Sequence, residues 1–161
     1  MGCHLKNEIQ PLTWPEELFD KRLRLVPLYA DYLEKMITMC EQNGAAVMLM
    51  IYPKTTVYRD DYAGGLEAAR KHGLPFLEFT TEEKLADVGL DLKRDFYDSK
   101  HLNLLGQEKL SRYVARFIRE IYVIKTHEDD DALTEKWNKA YADYMKYYQK
   151  NTADMPVKKK K

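Results

Sequence analysis

Ala45-Ala46-Val47-Met48-Leu49-Met50-Ile51-Tyr52 is an unbroken apolar run closed by Pro53. Such a run reads as a strand covered on both faces in a parallel sheet, since a half-exposed strand would alternate with polar residues. Upstream, from Pro27, residues Leu28, Tyr29, Tyr32, Leu33, Met36, Ile37 and Cys40 recur at helical spacing, and Asn43-Gly44 supplies the stop. Downstream, a second helix is expected from Asp61 to His72, less regular because of Gly64-Gly65 and ended by Gly73. Pro75 to Phe79 then reads as another short buried strand. Helix, strand, helix, strand is the α/β order, in which crossovers join parallel strands and ligands sit beyond the carboxyl ends of the strands.

Toward the C-terminus, Thr80 to Val88 suggests a short helix with a Thr80-to-Glu83 capping box and a stop at Gly89. Asn103 is placed to cap a long helix whose Leu110, Val114, Phe117, Ile118 and Ile121 form a core-facing stripe. A last helix, from about Leu133 to Gln149, carries Trp137, Tyr141, Tyr144, Met145 and Tyr148. The expected organisation is an irregular lead-in over 1–25 with a short helical piece near Glu16 to Asp20, an α/β region over 26–125, a helical extension over 126–151, and a disordered lysine-rich tail over 152–161.

Composition narrows the function classes. At 161 residues and 45% hydrophobic, the chain has room for one domain with a real core. Lys plus Arg equals Asp plus Glu at 26 each, so no bulk field recruits nucleic acid or an anionic membrane. No segment is apolar enough for a signal peptide or a membrane span, and Lys6 stands where a myristoylation signal after Met1-Gly2 wants Ser or Thr. Cys3 and Cys40 make neither a disulfide framework nor a metal-ligand pattern, and no cofactor is expected. Glu128-Asp129-Asp130-Asp131 lacks the alternating oxygen ligands and glycine of a calcium loop. His4, His72 and His127 have no partners at ligand spacing and read as surface histidines.

The chemistry-bearing stretch is Asp95-Phe96-Tyr97-Asp98-Ser99-Lys100-His101-Leu102-Asn103, followed by Leu104-Leu105-Gly106. Asp98 and His101 stand three positions apart on a loop about to enter a helix, within hydrogen-bond reach of one another. A carboxylate on one ring nitrogen fixes the histidine tautomer and leaves the other nitrogen to take a proton from a nucleophile.

Tyr32 to Ile118 resembles the C-terminal half of SGNH (GDSL-like) hydrolases, particularly bacterial members related to cell-wall and polysaccharide acyl-ester enzymes. The most specific match is Asp95 to Asp98 with His101-Leu102-Asn103 and Gly106; the Val47 to Tyr52 and Leu74 to Phe79 strands fall in the family's order, and Trp137-Asn138 resembles a C-terminal extension. The resemblance implies a partial flavodoxin-like parallel sheet with flanking helices, with Asp98 as orienting acid and His101 as general base. The family's Gly-Asp-Ser block has no counterpart. The only serines are Ser99, constrained inside the Asp-x-x-His turn, and Ser111, on the final helix of the sheet region, and neither reads as a nucleophile. The oxyanion-hole blocks are also missing.

Two functions follow as expectations. One is the C-terminal part of an acyl-ester hydrolase or acyltransferase, inactive alone, whose serine comes from an upstream segment or another chain. The other is a non-catalytic remnant or interaction module. In either case the Val47 to Tyr52 strand is expected to expose an edge that seeks a partner, by homo-oligomerisation or against an upstream half-domain, unless the lead-in and last helix repack over it.

Overall fold

A computed structural model describes residues 6–20, 27–124, 126 and 129–158. Among the described residues the protein is mixed α/β, with five helices and short strands. Thr13–Asp87 forms one compact unit, and the described residues before Thr13 and after Asp87 form the other. Within the latter, Ile9 exchanges backbone hydrogen bonds with Pro156 and Lys158.

In the first unit, α1 (Pro27–Gln42) leads to β2 (Leu49–Ile51), which pairs in parallel with β4 (Phe76–Glu78) in the register Leu49 to Phe76, Met50 to Leu77 and Ile51 to Glu78. Between them lies α2 (Arg59–His72), which ends at Gly73 with φ 64°, a left-handed conformation in which its N–H reaches back to the Ala69 and Arg70 carbonyls. The expected strand–helix–strand order is therefore present, although the strand is only three residues of the apolar run. Met50 remains 41% exposed. A second parallel pair joins β1 (Phe19–Asp20) to β3 (Val57–Tyr58). This corrects the helical piece expected near Glu16 to Asp20, and these lead-in residues pair with β3 rather than with β2.

Ile37, Val57, Ala68, Ala69, Leu77, Phe79 and Leu85 are buried, and Tyr62 packs edge-on against both Phe19 and Phe76 with centroids 5.4 and 5.8 Å away. Transfer of such side chains from water, at about 25 cal/mol per Å², is what holds the short strands together. The stripe expected on α1 is split. Ile37 faces inward, whereas Tyr29, Tyr32 and Met36 are 55–63% exposed and, with Met39, form a separate outward face. The short helix α3 (Glu82–Val88) receives its hydroxyl cap from Thr81, whose Oγ1 accepts the Lys84 N–H at 3.3 Å. Thr80, the expected cap, is held instead by Glu78, which accepts hydrogen bonds from both its N–H and its hydroxyl.

The other unit holds β5 (Phe96–Asp98) and β6 (His101–Leu102), an antiparallel pair, followed by α4 (Leu104–Ile121) and α5 (Asp131–Thr152). Helix α5 starts where Asp130 accepts the Leu133 N–H, and it meets α4 through Tyr144, whose hydroxyl donates to Glu108 at 2.9 Å. Burial first, then the Glu108 carboxylate, pushes the Tyr144 phenol well up. Trp137 and Tyr141 face outward. Thr152 belongs to α5 and residues 156–158 are hydrogen-bonded to the start of the chain, where the sequence suggests a disordered tail; 159–161 lie outside the described residues. No helix among the described residues is long and apolar enough to cross a membrane.

Candidate functional site

The loop expected to carry Asp98 and His101 is a β-hairpin. Asp98 pairs with His101 across the two-residue turn Ser99-Lys100. Among the described residues no non-glycine has positive φ, so this turn is built without the left-handed residues that tight hairpins commonly use. The Asp98 side chain holds it instead: Oδ1 accepts the Lys100 backbone N–H at 2.8 Å, an Asx turn.

The same carboxylate receives His101. Nδ1 lies 2.8 Å from Oδ1 and 3.0 Å from Oδ2 of Asp98. An ionised carboxylate only accepts, so the neutral ring carries its proton on Nδ1, and Nε2 is left as the basic nitrogen. Partial burial raises the Asp98 pKa, but the Lys100 N–H and the His101 ring outweigh it and hold the carboxyl below its ordinary value. The His101 side chain is 66% exposed and that of Asp98 34%. The pair is thus formed, oriented and open to water.

A buried frame carries the hairpin. Phe96, Leu102 and Leu104 are fully buried and anchor its base and the start of α4. Asn103, also fully buried, does more than the expected capping. Its Oδ1 accepts the Leu105 and Gly106 N–H groups at 3.0 and 3.2 Å, while Nδ2 donates to the Arg94 carbonyl at 2.6 Å and the Glu8 carbonyl at 3.2 Å. Asp95, 1% exposed, accepts the Asp91 N–H at 2.7 Å and the Lys109 ammonium at 2.6 Å. Gly106 fits because a Cβ there would overlap the Asp95 carbonyl oxygen and stand 3.0 Å from Leu102 Cδ2.

Residues 6–12, on which the sequence offers little, are the other part of the frame. The Lys6 carbonyl accepts from Leu104 N–H, while the Gln10 and Leu12 N–H groups donate to the Phe96 and Leu92 carbonyls, each at 2.8 Å. Ile9, facing the other way, pairs with Val157. Alternate residues of this segment therefore bond to opposite sides, as in a strand between the hairpin and the C-terminus. The sequence carries no alternation that marks this strand, because Asn7 is as polar as Lys6 and Glu8 on either side of it.

The partner of the His101 ring is Asp98, through Nδ1. Ser99 lies within the turn and Ser111 on α4. His72 differs from the expectation of a surface histidine: it is 14% exposed, with Nε2 2.9 Å from Glu34 and Nδ1 3.4 Å from Glu41, so it clasps the end of α2 to α1. Lys71, first, and then His72 hold the Glu34 carboxyl below its ordinary value. His4, His127, Cys3 and Glu128 lie outside the described residues. Among the described residues no three His, Cys, Asp or Glu side chains are grouped to hold a metal ion. No family model, no curated protein and no solved structure matches this chain.

Proposed function

We propose that this chain is the C-terminal part of an SGNH/GDSL-like serine esterase, an acyl-ester hydrolase or acyltransferase, with cell-wall or polysaccharide esters as the substrate class. The observation that carries the reading is the Asp98 carboxylate seated on His101 Nδ1 while the ring is otherwise exposed. Asp98 orients the imidazole and His101 Nε2 is the general base. A serine Oγ gives its proton to Nε2 and attacks the ester carbonyl. The alcohol then leaves with that proton, and water, or an acceptor alcohol, resolves the acyl-enzyme by the same route.

In this reading β2 and β4 are two strands of a flavodoxin-like sheet whose remaining strands, serine and oxyanion donors come from an upstream segment or a second chain, docked at the strand edge. The exposure of His101 supports that arrangement, since a triad works in a site from which water has been excluded. The isolated chain is expected to be inactive. The test is fluorophosphonate labelling of the protein isolated from its own cells, in whatever length or complex it occurs there. A single adduct that disappears in His101→Ala supports the reading, and no adduct overturns it.

The second reading, a non-catalytic interaction module, is favoured by the outward apolar face of α1, where Tyr29, Tyr32, Met36 and Met39 are all more than half exposed. It takes over if labelling fails.

A further inference from the structure

Hydrogen bonds from outside the hairpin and within it hold the backbone that bears Asp98. The Gln10 N–H donates to the Phe96 carbonyl at 2.8 Å, which fixes the peptide between Phe96 and Tyr97. The Lys158 ammonium donates to the Tyr97 carbonyl at 2.6 Å, which fixes the peptide between Tyr97 and Asp98. Past Asp98, the Lys100 N–H closes the Asx turn. The bond from Lys158 is charge-assisted, as is the one that the Asp98 carboxylate accepts from Lys100, and it acts on the peptide that leads directly into Asp98.

Lys158 is itself held. Its backbone N–H donates to the Ile9 carbonyl at 2.7 Å and the Pro156 carbonyl accepts the Ile9 N–H at 2.8 Å, so residues 156–158 lie along the N-terminal segment as a strap. Its ammonium stands 3.0 Å from the centroid of the Tyr97 ring, and Lys6 approaches the same ring at 4.6 Å. An ammonium near an aromatic ring is favourable, and here it keeps the long side chain extended toward the Tyr97 carbonyl.

We infer that Lys158 is a positioning residue for Asp98: the C-terminal strap, remote in sequence, holds the Tyr97–Asp98 peptide so that the carboxylate meets His101 Nδ1. The inference gives a role to the C-terminal strap that solubility alone does not. Its importance for catalysis rests on the proposed esterase reading, but the geometry it describes does not.

The experiment is NMR on the full chain, comparing wild type with Lys158→Met, Lys158→Arg and, as a control on an exposed face of α5, Lys150→Met. Two signals are followed: the pH titration of the Asp98 carboxyl carbon, and the exchange rate of the Lys100 amide that this carboxylate accepts. In Lys158→Met the Asp98 titration is expected to move up toward an ordinary aspartate and Lys100 exchange to quicken about tenfold, the scale of one charge-assisted hydrogen bond. Lys158→Arg, which keeps charge and donors, is expected to restore most of both, and Lys150→Met to change neither. If Lys158→Met does not fold, Lys158→Gln, which keeps a donor and loses the charge, is judged by the same two signals. Unchanged Asp98 and Lys100 signals overturn the inference, and so does a lowered unfolding midpoint with those signals unmoved, since that is a structural strap only. Absent fluorophosphonate labelling would remove the esterase reading while leaving these signals interpretable.

Discussion

Replacing Gly106 with alanine sets two effects of opposite sign against each other. Gly106 is the third residue of α4, where alanine is intrinsically better than glycine by about 1 kcal/mol. The added Cβ, however, would overlap the Asp95 carbonyl oxygen and stand 3.0 Å from Leu102 Cδ2 and 3.1 Å from Asp95 Cβ. The first is backbone, the last is a Cβ fixed to it, and the Leu102 methyl, although a side-chain end, is fully buried and has no open space to turn into. Moving the Asp95 carbonyl breaks the bond it accepts from Asn103 N–H at 2.9 Å, and moving the helix start pulls the Gly106 N–H from Asn103 Oδ1, 3.2 Å away. Overpacking at the upper end of its usual range, about 3 kcal/mol, plus about 1 for the weakened cap, less about 1 for propensity, leaves Gly106→Ala destabilised by about 3 kcal/mol. With an m-value of about 2 kcal/mol/M, the urea midpoint followed by far-UV circular dichroism falls by about 1.5 M. A midpoint equal to or above wild type would refute the close approach, because propensity alone would then have decided the sign.

Asn103→Ala leaves two N–H groups at the start of α4 and two or three carbonyls without their partner, and is expected to cost about 3 kcal/mol in the same urea assay; a loss below about 1 kcal/mol would mean that water replaces the side chain. Asp98 has a folded pKa below its unfolded value, so its contribution is present above about pH 4 and is lost as pH falls through the lower folded value. Carboxyl-carbon NMR checks this, and a midpoint at or above about 4 sinks it. Tyr144 has the opposite sign: its folded pKa is raised, so its contribution is complete below about pH 10 and declines as pH rises from there toward the folded value. Tyr144→Phe should therefore lose less stability than wild type between neutral pH and pH of about 11, and parallel curves would contradict the assignment. His72→Ala is expected to cost about 1 kcal/mol by releasing the end of α2 from Glu34 and Glu41, and a neutral effect would make the clasp incidental.

Where the sequence speaks through local periodicity, structure and reading agree. The bounds of α1, the Gly73 stop, the Asn103 cap and the parallel pairing of Leu49–Ile51 with Phe76–Glu78 all follow from residues within a turn or two of one another, or from an apolar run and its closing proline. The inward side of α1 was not legible, because Tyr29, Tyr32 and Met36 satisfy the same spacing as Ile37 yet are exposed. Apolarity marks what can be buried and not what is. His72 and Lys158 were illegible for a different reason. Their partners, Glu34 and Glu41 for the first and Tyr97 for the second, lie some thirty to sixty residues away, and nothing in the flanking sequence marks the meeting. The lead-in failed likewise: Phe19 finds Val57, and Ile9 finds Val157, through pairing that a one-residue or two-residue strand cannot announce.

The candidate site was legible because it is local, and that has a consequence for its interpretation. Asp98 and His101 face one another across a two-residue turn, and the turn is closed by the same carboxylate that orients the ring. A dyad made this way costs little loop-closure entropy. Its two side chains meet within four residues of chain. The buried frame is the more demanding construction: Asn103, Asp95 and Gly106 fit one another with little room, and Lys158 reaches back from the far end of the chain to the peptide that bears Asp98. If the Asp98 titration and the Lys100 exchange respond to Lys158, the orientation of the dyad depends on contacts well outside the hairpin, and an unseen nucleophile becomes the more economical explanation; if they do not, the hairpin alone accounts for everything that Asp98 and His101 do.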